Sequence, residues 1–265
     1  MCIPLADYQK ERAAFDALLD PDCKKRILLF HGESGSGKTT LLSSCRDSVK
    51  QGAQISYVNI DLKGTAVSVA EILSRTSDRL PVAQLPNLRQ KVAELEGLPA
   101  VDLDNVKLTG FGNKLNVTLQ VNDPNDRESR RLSLTDALFA DLRAFTQPVL
   151  FILDTYQDAT TEVRDWISGP FLARLDAAIQ VRVVIAGQNV PDENNLDWGH
   201  CCSSHRLKGV PDAKHWVPVV DAMKLRVPAS DTLSWLVGVC GLLKGRPSEI
   251  MQHLRAEQER SLRDE

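Results

Sequence analysis

No apolar run in this chain approaches the length of a membrane span. Its start, Met1-Cys2-Ile3-Pro4-Leu5-Ala6-Asp7, has neither the basic nor the apolar region of a signal peptide. These absences make the cytoplasm the expected location. A strong charge bias is missing too: the formal net charge is -3 and the sequence pI about 6.0, so composition gives no reason to expect a dedicated nucleic-acid or membrane surface. The six cysteines, Cys2, Cys23, Cys45, Cys201, Cys202 and Cys240, have no paired spacing that would read as a disulfide framework. Most lie where a thiol serves as a small apolar side chain. What is present is enough apolar material, 43% of 265 residues, to bury a full core with a small appendage.

The chain is organised around Arg26 to Leu42, where an apolar run breaks at glycines and resumes as a helical pattern. Gly32, Gly37, Lys38 and Thr39 fit G-x-x-x-x-G-K-[ST], between an expected buried strand and an expected amphipathic helix. Gly32, Gly35 and Gly37, which can adopt positive φ without steric cost, allow a turn tight enough to aim successive N–H groups at one point. The following helix adds its N-terminal amides and dipole. The candidate nucleotide-binding residues are therefore Gly32, Glu33, Ser34, Gly35, Ser36, Gly37, Lys38, Thr39 and Thr40. Lys38 is expected to reach the β and γ phosphates of ATP or ADP, and the Thr39 hydroxyl to coordinate Mg2+.

Around this loop the pattern alternates strand and helix. An amphipathic helix spans Tyr8–Leu19, placed to pack near the nucleotide base. A second strand covers Ile55–Leu62, and a helix runs from about Val67 to Leu80. Pro81 to Pro99 is punctuated by proline. Leu115, Val117, Leu119 and Val121 then alternate with Asn116, Thr118, Gln120 and Asn122, with turn chemistry at Gly110-Phe111-Gly112-Asn113. That periodicity predicts an inserted β-hairpin over about 100–122, covering a sheet edge or docking a partner. Asn122 to Arg131 is expected as a solvated loop, and Ser133 to Phe145 as a helix.

Val149 to Asp154 is an apolar strand ending in a carboxylate, the element that a phosphate loop needs beside it. Asp154 is thus a candidate metal ligand opposite Thr39. Helical segments from about Glu162 lead to the strand Val181–Gly187, ending at Gln188 at the same sheet edge. Beyond Pro191 a polar connection without strands is expected, then helices over Asp212–Met223, Ser230–Leu243 and onward from Pro247. The charged Ala256 to Glu265 is expected to fray. The expected fold is an α/β P-loop NTPase: three αβα layers with a parallel sheet, the inserted hairpin, and a small C-terminal helical lid. Residues 1–190 form the nucleotide-binding domain and 191–265 the connection and lid.

Taken in order, Asp154-Thr155-Tyr156-Gln157, Ala186-Gly187-Gln188 and Gly245-Arg246-Pro247 behind a phosphate loop resemble the STAND class of signal-transduction ATPases, the NACHT and NB-ARC relatives of AAA+ proteins. The resemblance implies ATP/ADP and Mg2+, a nucleotide contact at Gln188 and Pro247, and a catalytic pair at Asp154 and Gln157. It also implies signal transduction through a protein partner or self-assembly. The family's glutamate and sensor arginine are here the neutral Gln157 and Gln188. Glutamine orients water but is a poor proton acceptor, so slow or partner-dependent hydrolysis is expected, with Asp158 and Glu162 as nearby substitutes. STAND proteins flank this core with an effector domain, a winged helix and repeats, which makes this chain look like the bare core.

Other constellations are weaker. Trp198 to His205 gathers two histidines and two thiols, but adjacent cysteines do not readily chelate zinc as C-x-x-C does, and Trp198 and Cys201 are expected to pack on the core. Arg164 and Arg174 are arginine-finger candidates set against a solvated helix face. Three function classes stay open: a regulatory ATPase switch, a nucleotide-stabilised scaffold without hydrolysis, and a small-molecule kinase, for which no acceptor site is recognisable.

Overall fold

The computed structural model describes residues 4–52, 55–64, 67–97, 111–229 and 231–263. Five parallel strands, β1 (Ile27–His31), β2 (Ser56–Asp61), β3 (Val149–Asp154), β4 (Val181–Gly187) and β5 (Cys202–Arg206), form one sheet in the order β2-β3-β4-β1-β5. β1, β3 and β4 are nearly continuous apolar runs because both faces of the sheet are covered. Alternate side chains go to opposite layers. Leu29, Phe151 and Ile185 join one core, and Phe30, Ile152 and Ala186 the other.

The first face is covered by α3 (Val69–Arg79), α4 (Pro86–Leu95), α5 (Phe111–Leu119), α6 (Pro124–Leu142) and α7 (Thr161–Trp166). The second takes α1 (Gln9–Leu18), α2 (Lys38–Gly52), α8 (Val217–Met223), α9 (Thr232–Leu242) and α10 (Pro247–Arg263). This is the expected three-layer P-loop NTPase fold. α1 is tied to the sheet by Arg182 of β4, a fully buried side chain that donates to the carbonyl of Leu18, at the helix end, at 2.7 Å and to that of Asp20, just beyond it, at 3.3 Å.

The expected hairpin is corrected. Its second half is the helix α5, while residues 98–110 lie outside the described residues. Leu115 and Thr118 are buried, Leu119 packs on the core, and Val117 is 63% exposed. The burial therefore follows a spacing of three and four, and the Thr118 hydroxyl satisfies itself on Lys114 O at 2.8 Å, one helical turn back.

The solvated loop over Asn122–Arg131 is also corrected, because α6 already begins at Pro124. Asp123 caps it, accepting from Asn125 N at 2.7 Å and Asp126 N at 3.1 Å, with proline in the first turn. The strandless connection expected after Pro191 contains β5, which pairs with β1 and carries the sheet past residue 190. β5 is an edge strand of polar, half-buried residues, so it lacks the apolar signature of the others. Trp198 and Cys201 do pack in the core. The C-terminal stretch expected to fray is helical to Arg263.

Candidate functional site

The C-terminal ends of β1, β3 and β4 open into a cavity of about 770 Å³. β1 delivers the phosphate loop, and α2 starts at Lys38 directly behind it. Gly35 and Gly37 have φ of 81° and 89°, the left-handed region that glycine enters without strain, whereas Gly32 does not take positive φ and is needed because a Cβ there would come within 2.5 Å of Leu207 O. Ser34, Gly35, Gly37, Lys38, Thr39 and Thr40 line the cavity, joined from the neighbouring strands by Asp154, Gln157 and Gln188 and from α10 by Pro247. Gly32, Glu33 and Ser36 do not line it; Gly32 and Ser36 are buried and Glu33 is exposed. Lys38 Nζ donates to Gly32 O at 2.7 Å and Glu33 O at 2.8 Å, which holds the loop's first carbonyls against the start of α2.

Two opposite charges face each other here. Burial pushes the Asp154 carboxyl above its ordinary range, helped by the charge of Asp61, its register partner on β2. Hydrogen bonds from the Thr39 hydroxyl and the Thr155 amide, the latter 2.8 Å long, oppose that rise. Burial likewise pulls Lys38 down, with Asp154 pulling it back. Hence a cation, a hydroxyl–carboxylate pair and the amides of a helix N-terminus converge on one cavity. That donor set suits a polyphosphate with a hard divalent cation: Lys38 and the loop amides for the phosphates, Thr39 and Asp154 for the metal.

Gln157 has another partner. Its Oε1 accepts from the Gln188 backbone N–H at 2.8 Å, joining the loops after β3 and β4. A side chain on Gly187 would come within 3.0 Å of that oxygen, so the clasp needs glycine beside it. Of the proposed substitutes, Glu162 is ion-paired with Arg131 at 3.1 Å, Asp158 is exposed, and neither lines the cavity. Arg174 is paired with Asp136 at 2.7 Å, and Arg164 reaches Thr161 at 3.4 Å; neither lines the cavity.

Apart from Pro247 and the helix beginning at Tyr8, the remaining walls were not singled out by sequence. Pro4 to Tyr8 approach from the N-terminal side, and Val210, Trp216 and Val219 supply an apolar wall. Pro247, Met251, Arg255 and Glu259 form one stripe along α10. The i, i+4 spacing of that stripe is the signal by which the sequence could have shown it. α10 touches the phosphate loop itself: Ser248 N donates to Gly35 O at 3.1 Å, and a Cβ on Gly37 would lie 3.6 Å from that of Pro247.

The family model described as the AAA ATPase domain matches residues 9–185. Among solved structures, the Walker-type ATPase of Pyrococcus abyssi is similar in fold, with a TM-score of 0.52 and 14% identity over 93% of this chain and 66% of that one. Cdc6p of Pyrobaculum aerophilum gives a TM-score of 0.49 and 14% identity over 83% of this chain and 52% of that one. The chain thus spans between half and two thirds of these two structures. No curated protein sequence matches it.

Proposed function

Because the chain belongs to the AAA ATPase domain family of P-loop NTPases, we propose that it is an ATP-binding switch of the STAND type, with slow or partner-dependent hydrolysis. The observation that carries this reading is the hydrogen bond between α10 and the phosphate loop, Ser248 N to Gly35 O, with Pro247 packed beside it. A helix held on the loop that binds phosphate can respond to what the loop holds. In this reading the helical region beyond β5 is the lid, and its motion presents or hides a surface for a protein partner or a second copy.

Lys38 and the loop amides bind the phosphates of ATP or ADP, while Val210, Trp216 and Val219 offer the apolar wall for the base. Thr39 and Asp154 would hold Mg2+, whose charge, when bound, would offset the negative charge of the phosphates. Slow turnover follows from the neighbouring side chains. Gln157 is not an effective base and its oxygen is engaged by Gln188, and Glu162 is engaged by Arg131.

Calorimetry with ATP and Mg2+ on the parent and on Lys38→Ala, followed by hydrolysis assays alone and in cell extract, tests the reading. Binding by the parent, its loss in Lys38→Ala, and turnover that rises in extract are expected. Equal affinity in both proteins would overturn the site. Parent turnover at about tens per second, ordinary for an enzyme, would overturn the slow switch. Tight binding without turnover in any assembly would favour the scaffold, and acceptor-dependent phosphate transfer the kinase.

A further inference from the structure

Tyr8 is the residue before α1, with φ of 74°, a left-handed conformation uncommon for an aromatic residue. It is buried, yet it lines the cavity. Its hydroxyl donates to the backbone carbonyl of Ser36, inside the phosphate loop. Its ring lies on the next residue, since a Cβ on Gly37 would come within 3.3 Å of Tyr8 Cε2. Pro247 closes on the same glycine, 3.6 Å from that position. The Ser36–Gly37 peptide is therefore gripped through its carbonyl by Tyr8 and flanked by the first residue of α10.

A trans peptide points its C=O and its N–H in opposite directions. A carbonyl held toward the phenol aims the Gly37 N–H away from it. Gly37 is the residue least able to hold that orientation alone, because glycine tolerates many φ and ψ values. Burial raises the phenol pKa to about 12, so the hydroxyl remains a donor at neutral pH.

Resting on the nucleotide-switch reading, we infer that Tyr8 is a positioning residue of the phosphate site, whose hydroxyl fixes the Ser36–Gly37 peptide so that the Gly37 amide is presented to a phosphate oxygen. It supplies pre-organisation and takes no part in chemistry. The bound group is a polyphosphate, and the base makes no call on this contact.

Tyr8→Phe keeps the ring and removes the donor. Affinities of the parent and the variant for ATP, inorganic triphosphate and adenosine, measured by competition against a fluorescent ADP, provide the test. ATP and triphosphate should each bind about fivefold to tenfold more weakly to the variant, the size of one hydrogen bond, with adenosine unchanged. Affinities for ATP and triphosphate within twofold of the parent would overturn the inference. So would an adenosine loss as large as the ATP loss, which a general structural role would give. In the ligand-free protein, the Ser36 carbonyl-carbon and Gly37 amide-nitrogen resonances should move in Tyr8→Phe; unmoved resonances overturn the peptide-holding role. This second measurement stands whether or not the parent binds nucleotide, whereas a parent that binds neither ATP nor triphosphate overturns the switch reading.

Discussion

Asp154 carries opposed demands. In the proposed role its carboxylate must be ionised to hold a cation, yet burial resists ionisation and raises its pKa. For a carboxyl whose folded pKa lies above its unfolded value, the stabilising contribution is full below the unfolded value and is lost as pH climbs through the folded one. Near neutral pH, then, Asp154 weakens the ligand-free fold. Asp154→Asn should raise the ligand-free melting temperature at neutral pH, and the gain should vanish below about pH 3, where both side chains are neutral. Mg2+-dependent nucleotide binding should be lost at the same time. Melting curves of both proteins at the two pH values, with a calorimetric titration of the variant, check this; a variant less stable than the parent at neutral pH would contradict it.

Helix α4 illustrates how an element can depend on one residue elsewhere in the chain. Its first amides are unpaired within the helix, and no cap on its own side serves them. Asp141 of α6 does so: Oδ1 accepts from Asn87 N at 2.9 Å and Asn87 Nδ2 at 2.7 Å, and Oδ2 from Leu88 N at 2.8 Å. Asp141→Ala strands these donors in a buried setting and should destabilise the protein by about 2–4 kcal/mol in urea unfolding, with hydrogen-exchange protection lost first in Pro86–Leu95. A loss below about 0.5 kcal/mol would mean that water replaces the carboxylate.

The sequence showed this region only in part. Pro81 to Pro99 read only as a stretch punctuated by proline, and the residue that caps the helix is 53 to 54 positions away from its amides. Around α5, Leu115, Val117, Leu119 and, just beyond the helix, Val121 satisfy the period of a strand, while Leu115, Thr118 and Leu119 satisfy that of a helix. Packing against α3, α4 and α6 chose the second. The expected solvated loop misses the start of α6, although Asp123-Pro124, a cap followed by an N1 proline, carries the local signal for it.

At the scale of the molecule, the turn between α9 and α10 fixes where α10 meets the phosphate loop. Gly245 has φ of 64°, its carbonyl accepts from Val210 N at 2.7 Å, and a Cβ there would come within 2.7 Å of the Pro211 backbone. Gly245→Val therefore cannot keep the turn, and together with Pro247→Ala it should release α10 from Gly35. Weaker ATP binding is expected, with loss of ATP-dependent hydrogen-exchange protection across α9 and α10. Unchanged affinity and protection with only a lower melting temperature would reduce the junction to ordinary helix punctuation. Thermal shifts give an independent reading, because saturation at a hundred times Kd stabilises by about 2.7 kcal/mol.

Local chemistry alone determined the phosphate loop, the buried strands beside it, the carboxylate closing β3 and the turn at Gly245. Each depends on residues adjacent in the chain: glycines that turn, a lysine at a helix start, apolar runs long enough for a sheet covered on both faces. Tertiary structure alone decided what comes to those residues from far away. It brought Tyr8 to Ser36, Asp141 to α4, Arg182 to the end of α1 and polar β5 to the sheet edge. These pairings satisfy backbone groups, and every backbone carries the same groups, so no side-chain pattern announces which will meet. Only burial, by excluding water from both partners at once, makes the choice.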